Sequence, residues 1–177
     1  SETIAALATA PGTGALAVIR VSGAEALPVV QRCTAGRGLQ PRLATLVRVR
    51  DARGGIIDEC VATYFAGPAS FTGEDTVEFH THGSPAVLAA GLEALYIAGA
   101  RPAGRGEFTK RAFMNGQLGL TQAEAVIDLI EAETADAAAN AAGQVGGILQ
   151  KRLAPIYDDL TNLCSHFHAV LDYPDED

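Results

Sequence analysis

Residues Thr76-Val-Glu-Phe-His-Thr-His82 hold a carboxylate and two imidazoles in strict alternation with apolar side chains. On a strand, Thr76, Glu78, His80 and His82 share one face, while Val77, Phe79 and Thr81 share the other. A solvent-facing strand surface accounts for all four polar residues. A carboxylate in that position can equally accept two neighbouring donors of a ligand in a bidentate manner. His80 and His82 stand two apart without a clear third ligand, so no metal site is read here. His166 and His168 point to different faces of a helix and carry no site either.

Arg20 is the second residue of chemical interest, because its neighbours Leu16, Ala17, Val18, Ile19 and Val21 are all apolar. A strand of this composition reads as buried on both faces, and a charge within it must be paired. An internal ion pair with a carboxylate and a contact to an anionic or carbonyl-bearing ligand both satisfy that demand. Further on, Glu107 to Asn115 mixes Lys110 and Arg111 with Phe108 and Phe113, as an amphipathic helix does when its phenylalanines enter a core.

Other patterns exclude chemistry. Pro11-Gly-Thr-Gly-Ala-Leu-Ala17 superficially fits a dinucleotide fingerprint, but a strand-like run follows where a helix is required, so it reads as a plain turn. No Gly-x-x-x-x-Gly-Lys-Ser/Thr loop occurs in the 177 residues, so this chain should not hydrolyse a nucleoside triphosphate by that route. Cys33, Cys60 and Cys164 are odd in number and far apart, which argues against a disulfide framework or a zinc site and for a reducing cytoplasm. No apolar run approaches the ~18 residues of a membrane span. The amino end lacks the basic and apolar segments of a signal peptide, and Ser1 stands where an initiator methionine is missing or was trimmed.

These residues need elements to hold them. Up to about residue 119 strands and helices alternate. Ala15–Val21 reads as a strand, and Ser22 offers an N-cap to a short helix ending near Arg32. Thr45–Arg50 alternates as a half-exposed strand, and Asp51-Ala-Arg-Gly-Gly55 turns it into a second strand over Ile56–Phe65. After the Thr76–His82 strand, Pro85 suits the first turn of a helix reaching about Ala98. From Leu120 the pattern is helical. Thr121 and Glu124 fit a capping box, and Ala123, Val126, Ile127 and Ile130 follow at helical spacing. A second stripe, Ala138, Ala142, Val145, Leu149, Leu153, Ile156, Leu160, Leu163, Phe167 and Val170, predicts roughly 50 Å of helix. Gly143, Gly146, Gly147 and Pro155 should loosen or bend it. A stripe of that length needs partner helices that the chain does not contain, which marks the chain as a fragment.

The charge follows the same division. Residues 1–119 carry eleven basic and ten acidic side chains, net +1, and residues 120–177 carry two and eleven, net −9, for −8 overall. A helical half this acidic is a poor surface for tracking phosphates, so the main grip on any nucleic acid should lie elsewhere.

Several segments in collinear order carry a resemblance. Pro11-Gly-Thr-Gly14, Val18-Ile-Arg-Val-Ser-Gly23, Phe71-Thr-Gly-Glu-Asp-Thr-Val-Glu-Phe79, Gly106-Glu-Phe-Thr-Lys-Arg-Ala-Phe-Met-Asn-Gly116, Leu120-Thr-Gln-Ala-Glu-Ala125 and the closing Leu171-Asp-Tyr-Pro-Asp-Glu-Asp177 resemble the amino-terminal part of the MnmE (TrmE) family of tRNA-modification GTPases. The resemblance implies a mixed-sheet α/β (α+β) folate-binding and dimerisation domain over 1–119, T-protein-like in fold. The first part of a split all-α helical domain over 120–177 should follow it. The family's GTP-binding domain, with its GTP, Mg2+ and K+, would be absent from this chain.

By the same resemblance Glu78 binds the folate, as the glutamate of this motif does in the family, and Arg20 and Gln117 join it as cofactor contacts. A carboxylate suits a pterin ring, whose 2-amino group and adjacent ring N–H are donors side by side. Where the family usually reads Asn-Gly-Lys-Leu-Asp-Leu, this chain reads Asn115-Gly-Gln-Leu-Gly-Leu120, so Gln117 replaces a lysine and Gly119 an aspartate. Arg105 stands where proline is more usual. The implied ligand is 5-formyltetrahydrofolate or a methylenetetrahydrofolate acting as one-carbon donor. The implied partners are a second copy of the chain, the FAD-dependent MnmG (GidA) subunit and tRNA, whose wobble uridine is modified at C5. The uridine-facing cysteine of the family lies near the far carboxyl terminus, so Cys164 is not given that role, and no catalytic residue is assigned. Two other readings remain: a stand-alone folate-dependent aminomethyltransferase resembling the T-protein, and a structural dimerisation module without ligand.

Overall fold

The structure is a computed structural model that describes residues 2–172, and within these the side chains of 149–150 and 166–172 are not described. Hence His166, His168, Phe167, Val170 and the closing segment 173–177 fall outside the described part. The chain divides into two compact units, residues 1–117 and 118–177.

The first unit is built on a six-stranded mixed sheet. Its strands are β1 (Ile4–Leu7), β2 (Gly14–Ser22), β3 (Thr45–Arg50), β4 (Ile56–Phe65), β5 (Thr76–Gly83) and β6 (Arg101–Pro102), in the order β3-β4-β5-β2-β1-β6. Neighbours are antiparallel except β1 and β6. Helices α1 (Ala26–Cys33) and α2 (Pro85–Ile97) pack on one face, where Val29, Val30 and Leu95 close a core with Ile19, Val21, Val77 and Phe79. Pro85 opens α2, where its missing N–H costs nothing.

The alternation of β5 holds, with Val77, Phe79 and Thr81 buried and Glu78, His80 and His82 on the other face, except that Thr76, expected at the solvent surface, is buried against Thr72 of the preceding loop. In β2 the expectation of two buried faces fails. Ala17, Ile19 and Val21 are buried, but Val18 and Arg20 are only half-buried and Leu16 is 73% exposed. The reason is architectural: α1 and α2 lie on the same side of the sheet, so the apolar run of β2 has only one covered face.

The expected N-cap at Ser22 also fails. Ser22 is the last residue of β2, α1 begins four residues later behind Glu25, and no side chain caps it. The Ser22 hydroxyl is instead within 2.7 Å of Thr72 Oγ1 and donates to Glu74 Oε2 at 2.9 Å. Long-range partners outweighed the local cap. The loop 66–75, which contains a cis Gly67–Pro68 bond, and helix α3 (Glu107–Met114) cover this end of the otherwise open sheet face.

The second unit comprises α4 (Leu120–Ile130), α5 (Ala135–Val145) and α6 (Ile148–Asp172). The predicted Thr121–Glu124 capping box is replaced two residues earlier: the N–H of Gly119 donates to Gln122 Oε1 at 2.8 Å, while Gln122 Nε2 donates to the Val145 carbonyl at 2.8 Å. Gln122 thereby starts α4 and ties down the end of α5. Thr134 caps α5 by accepting from the Ala137 N–H at 3.2 Å.

The single long helix predicted from residue 138 onward is broken. Gly146 ends α5 and Gly147 adopts φ +75°, a left-handed conformation that glycine enters without Cβ strain. Pro155 lies inside α6 without ending it. Ala125 and Ala141 are buried, whereas Ile127, Ile130, Ile148, Leu153, Ile156, Leu160 and Leu163 are all about half exposed or more.

Candidate functional site

Strand register brings the predicted residues together. Arg20 on β2 stands opposite Glu78 on β5, Glu78 stands opposite Thr63 on β4, and Arg20 stands opposite Ala6 on β1. The four form one row across the open face, and all are half-buried. Arg20 Nε donates to Glu78 Oε1 at 2.9 Å, and Arg20 Nη2 lies 2.9 Å from the same oxygen. The charge on β2 is therefore paired, as its environment requires.

The pairing is one-sided. Both nitrogens address Oε1, and among the described residues neither Glu78 Oε2 nor Arg20 Nη1 makes a hydrogen bond. His80 Nε2 lies 3.8 Å from Oε2. Two phenylalanines flank the guanidinium: Phe71, from the loop before β5, with its ring centroid 4.9 Å from Cζ, and Phe108, from α3, at 5.4 Å. Both distances are in cation–π range. The site thus offers an unspent acceptor beside an unspent donor, between aromatic walls, on a face that solvent reaches.

Gln117 lies apart from this pair, exposed beyond the end of α3 and close to Gly73. Gly73 has φ +76°, and a Cβ there would stand 3.1 Å from Gln117 Nε2 and 3.0 Å from Asn115 Cβ. The Asn115 amide donates to the Thr72 carbonyl at 2.7 Å. The segment after α3 is therefore fastened to the same loop that brings Phe71 to Arg20, and Gln117 has a place at the rim of the site, not in the row.

Sequence reasoning did not anticipate the network beneath α3. Arg111 is 8% exposed; its Nη1 donates to Glu74 Oε2 and its Nη2 to Glu107 Oε1, both at 2.9 Å. Glu107 also accepts from Arg101 Nη1 and Nη2, at 2.9 and 2.7 Å, and from the Gly104 N–H at 2.7 Å. The hydrogen bonds from Arg101, then that of Gly104, hold the Glu107 carboxyl well below the usual carboxylate range despite partial desolvation. The i, i+4 spacing of Glu107 and Arg111 was the visible signal. It competed with the two phenylalanines, and there the expectation fails: Phe113 is 45% exposed, Phe108 is half-buried, and α3 buries Arg111 and Ala112 instead.

Residues 3–117 match the family model described as the GTP-binding protein TrmE N-terminus, and residues 120–177 match that of the MnmE helical domain. The chain belongs to the MnmE (TrmE) family. The tRNA modification GTPase MnmE of Akkermansia muciniphila is 48% identical over 179 residues, covering 99% of this chain and 40% of that protein. That of Azoarcus sp. is 51% identical over 176 residues, 99% and 39% respectively. That of Thermus thermophilus is 48% identical over 179 residues, 99% and 41% respectively. The chain spans about 40% of the length of these curated relatives. Against the TrmE match, the mixed six-stranded sheet is the fold expected of 1–117 and the three helices are that of the helical part.

Proposed function

We propose that this chain is the folate-binding part, with the first helices, of a tRNA-modification GTPase. The observation that carries the reading is the half-satisfied Arg20–Glu78 pair on an open sheet face, in a domain of the TrmE family. A reduced pterin presents adjacent N–H donors beside a ring carbonyl. Glu78 Oε2 suits the donors, Arg20 Nη1 suits the carbonyl, and Phe71 and Phe108 supply apolar walls. Gln117, at the rim, is placed to donate to a carbonyl further along the ligand. The bound group, 5-formyl- or methylenetetrahydrofolate, supplies a one-carbon unit. The chain's own contribution is to orient it and to limit water on one side.

In the whole protein this unit would serve C5 modification of the tRNA wobble uridine, of the aminomethyl or carboxymethylaminomethyl type. It would pair with a second copy through the amino-terminal domain and act with the FAD-dependent MnmG subunit in the cytoplasm. GTP hydrolysis would belong to a further domain. Among the described residues no helix is long and apolar enough to cross a membrane.

Isothermal titration of the chain with 5-formyltetrahydrofolate tests the reading. Micromolar binding is expected in the parent. Glu78→Ala should weaken it by at least about tenfold, since a hydrogen bond to a charged group is worth on the order of 1.5–3 kcal/mol. His82→Ala, whose imidazole is engaged with Asp58 at 2.8 Å, should leave it within about twofold. No heat from the parent at millimolar ligand would favour the ligand-free dimerisation module.

A further inference from the structure

A cavity of about 510 Å3 opens on the flank of α3 and shares no residue with the Arg20–Glu78 row. Glu74, Arg105, Glu107, Lys110, Arg111 and Asn115 line it. Three of its charges are committed to one another, because Arg111 bridges Glu74 and Glu107. The other two, Arg105 and Lys110, are exposed and among the described residues make neither an ion pair nor a side-chain hydrogen bond. The five charged side chains that line the cavity sum to +1, and the two left unspent are both cations, which is the electrostatics of a site for an anionic ligand.

Its position is also informative. The loop before β5 puts Phe71 on Arg20 and, three residues on, Glu74 in the cavity wall. Helix α3 does the same with Phe108 on Arg20 and Lys110 and Arg111 in the cavity. Ring site and cavity are thus both walled by the same pair of elements.

We infer that this cavity receives the anionic tail of the folate, and that Arg105 and Lys110 select forms extended by further γ-linked glutamates. This rests on the ring-binding reading above. A folate with one glutamate carries two tail carboxylates, and every added γ-linked glutamate contributes one more, so lengthening raises the density of negative charge that Arg105 and Lys110 face. The attraction between such exposed groups is long-ranged and screened by salt.

Calorimetric titrations of the chain with the mono- and pentaglutamate forms of 5-formyltetrahydrofolate provide the test, read as the ratio of the two affinities. In the parent the pentaglutamate should bind about tenfold tighter at ~50 mM salt, and that ratio should fall toward one at about 500 mM. In Arg105→Ala/Lys110→Ala the ratio should be near one even at low salt, whereas Arg105→Lys/Lys110→Arg should restore it. A parent ratio of one, or a ratio retained in the alanine double variant, overturns the tail site while leaving ring binding intact. Failure of both forms to bind the parent overturns the ring reading, and the tail site falls with it.

Discussion

The same charge type does different work at different depths in this molecule. Arg48 and Glu59 meet at 2.6 Å, but both are about half exposed, and such pairs contribute on the order of 0–1 kcal/mol. Arg111 is enclosed with side-chain exposure of 10%, against 15% for Glu74 and 16% for Glu107. Removing it takes the bridging guanidinium from two largely desolvated carboxylates, leaving Glu107 to Arg101 and the Gly104 N–H and costing Glu74 its ion pair with Arg111. Arg111→Ala should therefore lower stability by about 3 kcal/mol and Arg48→Ala by less than about 1, a contrast that urea unfolding resolves. Glu107 adds a pH dependence. Its carboxyl titrates well below its ordinary value because Arg101 and the Gly104 N–H hold the ionised form. Its stabilisation is complete above the ordinary glutamate pKa of ~4.3 and is lost progressively as pH falls below it toward the folded-state value. Stability lost between about pH 6 and pH 3 should accordingly be smaller in Glu107→Gln than in the parent, although the variant starts from a lower value. Equal losses in the two proteins would remove Glu107 from the acid response.

At the scale of elements, period and breakers carried most of the fold. β3, β4, β5 and α2 stand where alternation, the Asp51–Gly55 turn and Pro85 place them. β1 and β6 could not be seen, because strands of four and two residues leave no periodic signal and exist only through pairing with each other and with β2. The site divides in the same way. Arg20 and Glu78 stand out locally, one by its apolar neighbours and the other by its alternating strand. Their pairing, and the part played by Phe71 and Phe108, depend on which strands become neighbours and on which face α1 and α2 cover. Gly23 shows how tightly β1 is locked against the end of β2. It has φ +139°, and an added Cβ would lie 2.6 Å from Thr3 Oγ1 and 2.7 Å from Thr3 Cα. Thr3 cannot yield without loss, since its hydroxyl accepts the Glu25 N–H at 3.0 Å and its carbonyl accepts the Arg101 N–H at 2.9 Å. Gly23→Ala should cost about 2–4 kcal/mol, from close contact plus backbone strain. A midpoint of thermal unfolding within a degree or two of the parent would contradict that account.

The two units of the molecule are stabilised by unlike means, and that difference is measurable. Unit 1–117 encloses a continuous apolar core, with Ile19, Val21, Val77, Phe79 and Leu95 at 1% exposure or less. In unit 118–177 the buried hydrophobic residues among those described are Ala125 and Ala141, and an alanine removes little surface from water. The larger side chains of α6 on record, from Ile148 at 52% to Leu163 at 52%, remain about half exposed. A helix that buries so little is left to its intrinsic propensity, whereas most helical stability in proteins comes from packing an amphipathic face, and Pro155 removes one of its backbone bonds. The backbone amides of β2 and β5, by contrast, lie mid-sheet with ladder partners on both sides. Deuterium exchange on the dilute chain should therefore show β2 and β5 protected close to the global unfolding limit and α6 exchanging orders of magnitude faster. Slow exchange in α6 that persists on dilution would mean its apolar stripe is covered within a single chain, which the exposures of Leu153, Ile156 and Leu160 contradict. Protection that rises with concentration would instead show the stripe meeting other copies, as expected of an exposed apolar face of this length.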